Sequence, residues 1–304
     1  LRITNQMTAT LVLNDLNNCM EQLQNTQLKL SSGHNINQPS DDPAGTARVM
    51  AYNTALSANG QYQRNINDAS GWLKTTDQAL ANIGSALQRV RTLTVEGANA
   101  TLTGNDRQAL AQEVDQLINN VADNANASYG SRYIFGGNHT GGRPFTVNND
   151  ANGEPQSVTY TGDQGQLNYE ISQNVTMQIN VNADSSTSGN IKMSDIFSDL
   201  INIRDHLKNS DTNSLSGSDL SNLDRDMNNL LSARASVGAR LNRLSLSLGQ
   251  AQTANLNLTG SKADIYDVDI ARAITDFNMQ QNAYQGALNV AARIIQPTLV
   301  DFLK

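Results

Sequence analysis

The sequence is short of almost everything that active sites and compact cores are built from. It has one cysteine, Cys19, in 304 residues, so neither an internal disulfide nor a cysteine-built zinc cluster can form. Aromatic residues make up 5% of the chain and only one is a tryptophan, Trp72, which argues against a large aromatic-rich core. Charged residues reach only 16%, unlike a charge-rich disordered chain. The formal net charge of −7 has the wrong sign for a protein that must neutralise phosphates, so no nucleic acid is expected as a partner. No apolar run approaches the roughly 20 residues of a membrane span. Leu1-Arg2-Ile3-Thr4-Asn5 leads into an amphipathic stretch, not the charged-then-apolar pattern of a cleaved leader.

Motifs with chemistry are equally scarce. His34, His139 and His206 lie in three separate segments, none in a metal-ligand spacing such as HxxxH. There is no GxxxxGK[ST], no GxGxxG after a strand and no GxSxG, which excludes the usual phosphate cradles and the nucleophile elbow. Asp41-Asp42 are adjacent, so their carboxyls diverge, and Pro43 behind them marks a helix start rather than an acid–base pair. The acidic run Asp264, Asp267 and Asp269 reads the same way. The Asn-x-Ser/Thr triplets at Asn126, Asn138, Asn174 and Asn257 are expected by chance in so Asn-rich a chain. Cys19 lies beside an apolar seam with no flanking cation, an inert thiol. Neither enzymatic activity nor a cofactor or metal is expected.

Proline scarcity points the other way, to what is present. The five prolines, at 39, 43, 144, 155 and 297, leave 44–143 and 156–296 free of any, room for very long helices. Ala55, Tyr62, Ile66, Ala69, Leu73, Leu80, Ile83, Leu87 and Val90 fall on alternating three- and four-residue steps, with Asn59 and Thr76 in the gaps. Leu220, Leu223, Met227, Leu230, Val237, Leu241, Leu244, Leu248, Ala251 and Leu258 repeat the rule, with Arg234 and Asn255 interrupting. Leu110, Val114, Leu117 and Val121 mark a shorter helix. Such spacing keeps one seam facing a partner helix, and the expected shape is a rod.

Both ends carry the same signature. Leu13, Leu16, Met20, Leu23 and Leu30 form one seam, and Ile270, Ile274, Phe277, Tyr284, Leu288, Ala291 and Ile295 another. Each is a narrow stripe on an Asn/Gln-rich helix that cannot bury itself, so the stripes pair with each other or with copies of the chain, and the ends are expected to be loose in a monomer. Between Tyr133 and Lys192 the period changes to two: Val158/Tyr160, Leu167/Tyr169/Ile171 and Val175/Met177/Ile179/Val181 alternate as strands, with turn signals at Asn152-Gly153 and Gly162-Asp163. Ser194 is placed to cap a short helix carrying Ile196, Phe197, Leu200, Ile203 and Leu207. The expected fold is mainly α, an elongated helical bundle with a small β insertion. Terminal coiled-coil segments are read at 1–42 and 265–304, a helical trunk at 43–132 and 193–264, and a solvent-facing β unit with its own core at 133–192.

Two stretches are more specific. Leu30-Ser31-Ser32-Gly33-His34-Asn35-Ile36-Asn37 followed by Asp41-Asp42-Pro43-Ala44-Gly45 resembles the N-terminal signature of the bacterial flagellin family. Asp267-Val268-Asp269-Ile270-Ala271 and Gln281-Asn282-Ala283-Tyr284-Gln285-Gly286-Ala287-Leu288 are similar to its C-terminal helix. Gly130-Ser131-Arg132-Tyr133-Ile134-Phe135-Gly136-Gly137 and the end Ile294 to Lys304 resemble the junction members of that family more than the filament subunit. The resemblance implies a structural adaptor at the hook–filament junction, with flagellin itself as the alternative. It implies export of the unfolded chain through the flagellar apparatus after an export chaperone, and assembly into a ring layer of identical subunits between a neighbouring hook-associated junction protein and flagellin. The assembly interface is then Leu13, Leu16, Met20, Leu23, Leu30, Ile270, Ile274, Phe277, Tyr284, Leu288 and Ile295.

Overall fold

A computed structural model of the chain describes residues 5–151, 153–185 and 189–294. Long helices dominate, as the proline-free stretches predict. Helix α1 spans Asn5–Ser32, α2 Pro43–Gly97 and α3 Gly104–Ala125. After the β section come α4 (Met193–Lys208), a short turn α5 (Thr212–Ser214), a π-helical turn Leu215–Asp219, and then α6 (Leu220–Tyr266) and α7 (Ile270–Ile294). The chain divides into two compact units, residues 59–253 and residues 1–58 with 254–304. Their boundaries fall inside α2 and α6, not at the 42/43 and 264/265 positions read from the sequence.

Within residues 59–253 the two long seams are buried as the spacing requires. Ile66, Ala69, Leu73, Leu80, Ile83, Leu87 and Val90 of α2 share one core with Leu223, Leu230, Val237 and Leu244 of α6. The polar gap residues sit on the seam and are satisfied there: Asn59 Nδ2 donates to the Ala251 carbonyl at 2.7 Å, and Thr76 Oγ1 to the Trp72 carbonyl at 2.9 Å. Arg234 reaches across to Asp77, Nε to Oδ1 at 3.0 Å. A capping box between Thr103 and Asp106 starts α3. Helix α4 buries Ile196, Phe197, Leu200, Ile203 and Leu207. Ser194 does not cap it; its hydroxyl donates instead to Asp184 at 2.8 Å.

The β section is three antiparallel ribbons of two strands each: β1 (Ser128–Tyr129) with β2 (Arg132–Tyr133), β3 (Phe145–Asn149) with β4 (Pro155–Tyr160), and β5 (Asn168–Ser172) with β6 (Val175–Gln178). A two-stranded ribbon cannot bury a face of its own, and these lie on the helices. Ile134, Phe135, Phe145, Ile171, Met177, Ile179 and Val181 belong to the same continuous core as α2, α3, α4 and α6. Phe145 meets Phe197 of α4 at a ring distance of 5.7 Å. The Asn126 side chain at the end of α3 bonds both the amide and the carbonyl of Phe145, at 2.9 Å each. Residues 133–192 are therefore not an insertion with a separate core.

Candidate assembly surface

Among the described residues no group of three His, Cys, Asp or Glu side chains is placed to hold a metal, and no helix is long and apolar enough to cross a membrane. The three histidines remain apart, each beside a different aspartate: His34 with Asp267, His139 with Asp163 and His206 with Asp219. What the chain presents is surface, and the terminal unit carries most of its chemistry.

That unit is organised by the loop between α1 and α2. Gly33 turns out of α1 with φ +74°, a conformation that favours glycine. The next residues pair antiparallel with the α6–α7 connection: the Asn35 amide donates to the Tyr266 carbonyl at 2.7 Å and the Val268 amide to the Gly33 carbonyl at 3.1 Å. The His34 ring stacks on Tyr266 at 4.0 Å, and Lys262 Nζ lies 5.5 Å from the centre of the same Tyr266 ring. Asp41 Oδ2 accepts from the Asn37 and Gln38 amides at 3.0 and 2.8 Å; these bonds, Gln38 foremost, hold its carboxyl below the ordinary range. Asp42 Oδ1 accepts from the Gly45 amide at 2.9 Å, capping α2. Both adjacent carboxylates are thus structural.

Gly45 has no room for a side chain. A Cβ there would meet Ile36 Cδ1 at 2.8 Å and the Asp42 carboxylate closer still. Gly45→Ala is expected to loosen this loop by about 1–3 kcal/mol, the usual cost of overpacking. Faster amide exchange across residues 33–46 checks it, and the fluorescence melt of Trp72, which lies in the other unit, stays unchanged.

Helix α7 packs along α1, and the two run antiparallel, since His34 meets Asp267 while Met20 Sδ lies 3.8 Å from the Tyr284 hydroxyl. The contact line is rotated from the expected one. On α1 the half-buried positions include Ala9, Val12, Leu16, Cys19, Leu23, Thr26 and Leu30. On α7 they include Phe277, Gln280, Tyr284 and Ala287, with Ala273 and Ala291 buried. Leu16, Leu23, Leu30, Phe277 and Tyr284 are thus half-buried where α1 and α7 pack. Cys19 joins them and is on the seam, not beside it. Leu13, Ile270, Ile274 and Leu288 instead stay 42–59% exposed, as does Met20 at 42% although its sulfur meets the Tyr284 hydroxyl, and Ile295 lies outside the described residues. Met7, Leu11, Leu28, Met279 and Val290 are exposed as well. The buried seam is poor by comparison: alanines fill three α7 positions, and Gln280 Oε1 is buried there without a hydrogen-bond partner.

The family follows from both flanks at once. The model for the bacterial flagellin N-terminal helical region matches residues 3–140, and that for the C-terminal helical region matches residues 220–303. The chain belongs to the bacterial flagellin family. Flagellar hook-associated protein 3 of Escherichia coli K12 is 26% identical over 272 residues, 85% of this chain and 86% of the relative. The flagellin of Bacillus subtilis 168 is 27% identical over 307 residues, 95% of each chain. Among solved structures, the flagellar junction protein FlgL of Legionella pneumophila shares the fold with a TM-score of 0.57 at 17% identity, over 74% of this chain and 100% of that one. The chain is a structural component of the bacterial flagellum, and the flagellar location follows from the family.

Proposed function

We propose that this protein is the adaptor at the hook–filament junction, the layer on which flagellin assembles. The observation that carries the reading is the outward apolar stripe of the α1–α7 pair, Leu13, Ile270, Ile274 and Leu288, left uncovered within the chain. Large apolar side chains left exposed together mark a protein-interaction site, and identical copies set around a ring supply a cover with matching chemistry. The near full-length likeness to a hook-associated protein and the Gly130–Gly137 motif favour the junction over the filament.

In this reading the inward seam aligns the two terminal helices of one subunit, and the outward stripe joins neighbours. The ring contacts a neighbouring hook-associated protein on one side and flagellin on the other. Export through the flagellar apparatus and a chaperone over the C-terminal stripe follow from the family resemblance. The comparable identity to Bacillus subtilis flagellin gives the filament subunit as the second reading. Deletion of the gene in its own bacterium separates the two. A junction adaptor leaves hooks without filaments and flagellin leaking into the medium. Loss of the major filament polymer itself, with no flagellin released, overturns the junction reading in favour of the filament subunit.

A further inference from the structure

Asp226 of α6 is 3% exposed, and its Oδ2 has no hydrogen-bond partner among the described groups. Facing it from α4 is Asp199, its side chain 12% exposed, within hydrogen-bonding reach of Asp226. One cation serves both carboxyls. Arg225 donates through a terminal nitrogen to Asp199 Oδ2 at 3.0 Å, and its Nε lies 3.5 Å from Asp226 Oδ1. Asn222 Nδ2 donates to Asp199 Oδ1 at 3.3 Å. The remaining charges nearby are already engaged: Asp195 with Lys192 at 2.7 Å, and Asp219 of the π turn with His206 at 2.7 Å. Two buried carboxylates facing each other with one half-exposed cation between them cannot both stay ionised at little cost. An orphaned oxygen opposite a carboxylate is where a proton belongs, because one O–H then satisfies both groups.

We propose that Asp199 and Asp226 share a single proton, and that this acid–carboxylate hydrogen bond is a clasp between α4 and α6 that weakens as pH rises. The proton belongs to the pair rather than to either residue. Burial first, and then the Asp199 charge, push Asp226 up to about 7, and burial likewise raises Asp199. An unfolded aspartate has given up its proton above its ordinary value of 3.8, while the folded pair keeps one until near neutrality. The folded state therefore binds the extra proton, and its stabilisation, complete below the unfolded value, is lost as pH rises through about 7. This is opposite in sign to an ordinary salt-bridged carboxylate.

The test uses the full chain and Asp226→Asn, whose amide can donate the same hydrogen bond without titrating. Trp72 fluorescence reports melting of residues 59–253, and the two proteins are compared from about pH 5.5 to 8.5. The melting temperature of the unaltered chain is expected to fall relative to the variant by a few degrees across that window. Contributions common to both proteins cancel in the difference. A difference independent of pH, or one in which the unaltered chain gains on the variant as pH rises, overturns the clasp. Should the variant fail to fold, infrared spectroscopy of the unaltered chain decides. A protonated carboxyl stretch present at about pH 5.5 and gone by about 8.5 supports the shared proton, and its absence at the lower pH overturns it.

Discussion

Joining Tyr133 to Lys192 through a short Gly/Ser linker is expected to abolish cooperative folding of residues 59–253. The periodicity change at both ends of the β section invites the opposite result, a trunk that survives the deletion. The packing decides against it. Deletion strips the cover from Phe197, whose ring lies 5.7 Å from Phe145, and from the neighbouring α4 residues Ile196 and Leu200 in the same core. Re-exposing a large apolar side chain costs about 1.5–3 kcal/mol. Polar partners go as well. Arg204, 5% exposed, loses the Pro155 carbonyl that it reaches at 2.6 Å, Lys208 loses Glu154, and Asp68 loses the Tyr169 hydroxyl at 2.7 Å. Several such losses together equal the whole stability of a domain, about 5–15 kcal/mol. Loss of a cooperative Trp72 melt is the expected readout. A deleted chain that melts cooperatively near the original temperature would show that the helices hold their core without the ribbons.

The long helices were legible because their seams needed only two rules, no proline and alternating steps of three and four. Even the interruptions were informative: Asn59 and Thr76 sit where the pattern places them and hydrogen-bond within the seam. The β section was legible only in part. Alternation located β4, β5 and β6, but it extended β6 through Val181, where the chain is buried on both sides and no ladder forms. Side-chain amides stand in for strand pairing there. Asn180 accepts from the Leu167 amide at 3.0 Å and donates to the Gly165 carbonyl at 2.8 Å, and Asn182 donates to the Gln164 carbonyl at 3.1 Å. Strand β3 escaped because one Phe followed by Thr, Val and Asn carries little alternation. At the terminal surface, counting only large apolar residues rotated the seam. The line through Val12, Leu16, Cys19, Leu23, Thr26 and Leu30 keeps the heptad without a break once cysteine and threonine count as seam residues. The leucines and isoleucines left over are the outward stripe. The contrast between a weak inner seam and a strong outer one is invisible until both helices are placed.

Leu244→Asp and Ile274→Asp introduce the same charge on helices of the same seam pattern, and opposite outcomes are expected. Leu244 is 1% exposed within the shared core of residues 59–253. A carboxylate there loses its hydration inside an apolar core, and Arg240 one turn away is already bonded to the Asn180 carbonyl, so the cost is several kcal/mol, which a domain of ordinary stability does not withstand. Ile274 is 48% exposed on the outward face of α7. A charge at that position stays in water in the free chain, and such surface changes usually fall within about 0.5 kcal/mol. Its effect comes when a neighbouring copy covers the stripe and the carboxylate is buried unpaired, so incorporation into the flagellum fails. Trp72 fluorescence and circular dichroism measure the first outcome, and motility with immunodetection of the protein on isolated hooks measures the second. Leu244→Asp is expected to lose the cooperative melt. Ile274→Asp should melt like the unaltered chain and be missing from the hooks. Motile cells carrying Ile274→Asp at normal abundance would remove the outward stripe from the assembly surface and leave the inner seam, through Phe277 and Tyr284, as the part that matters.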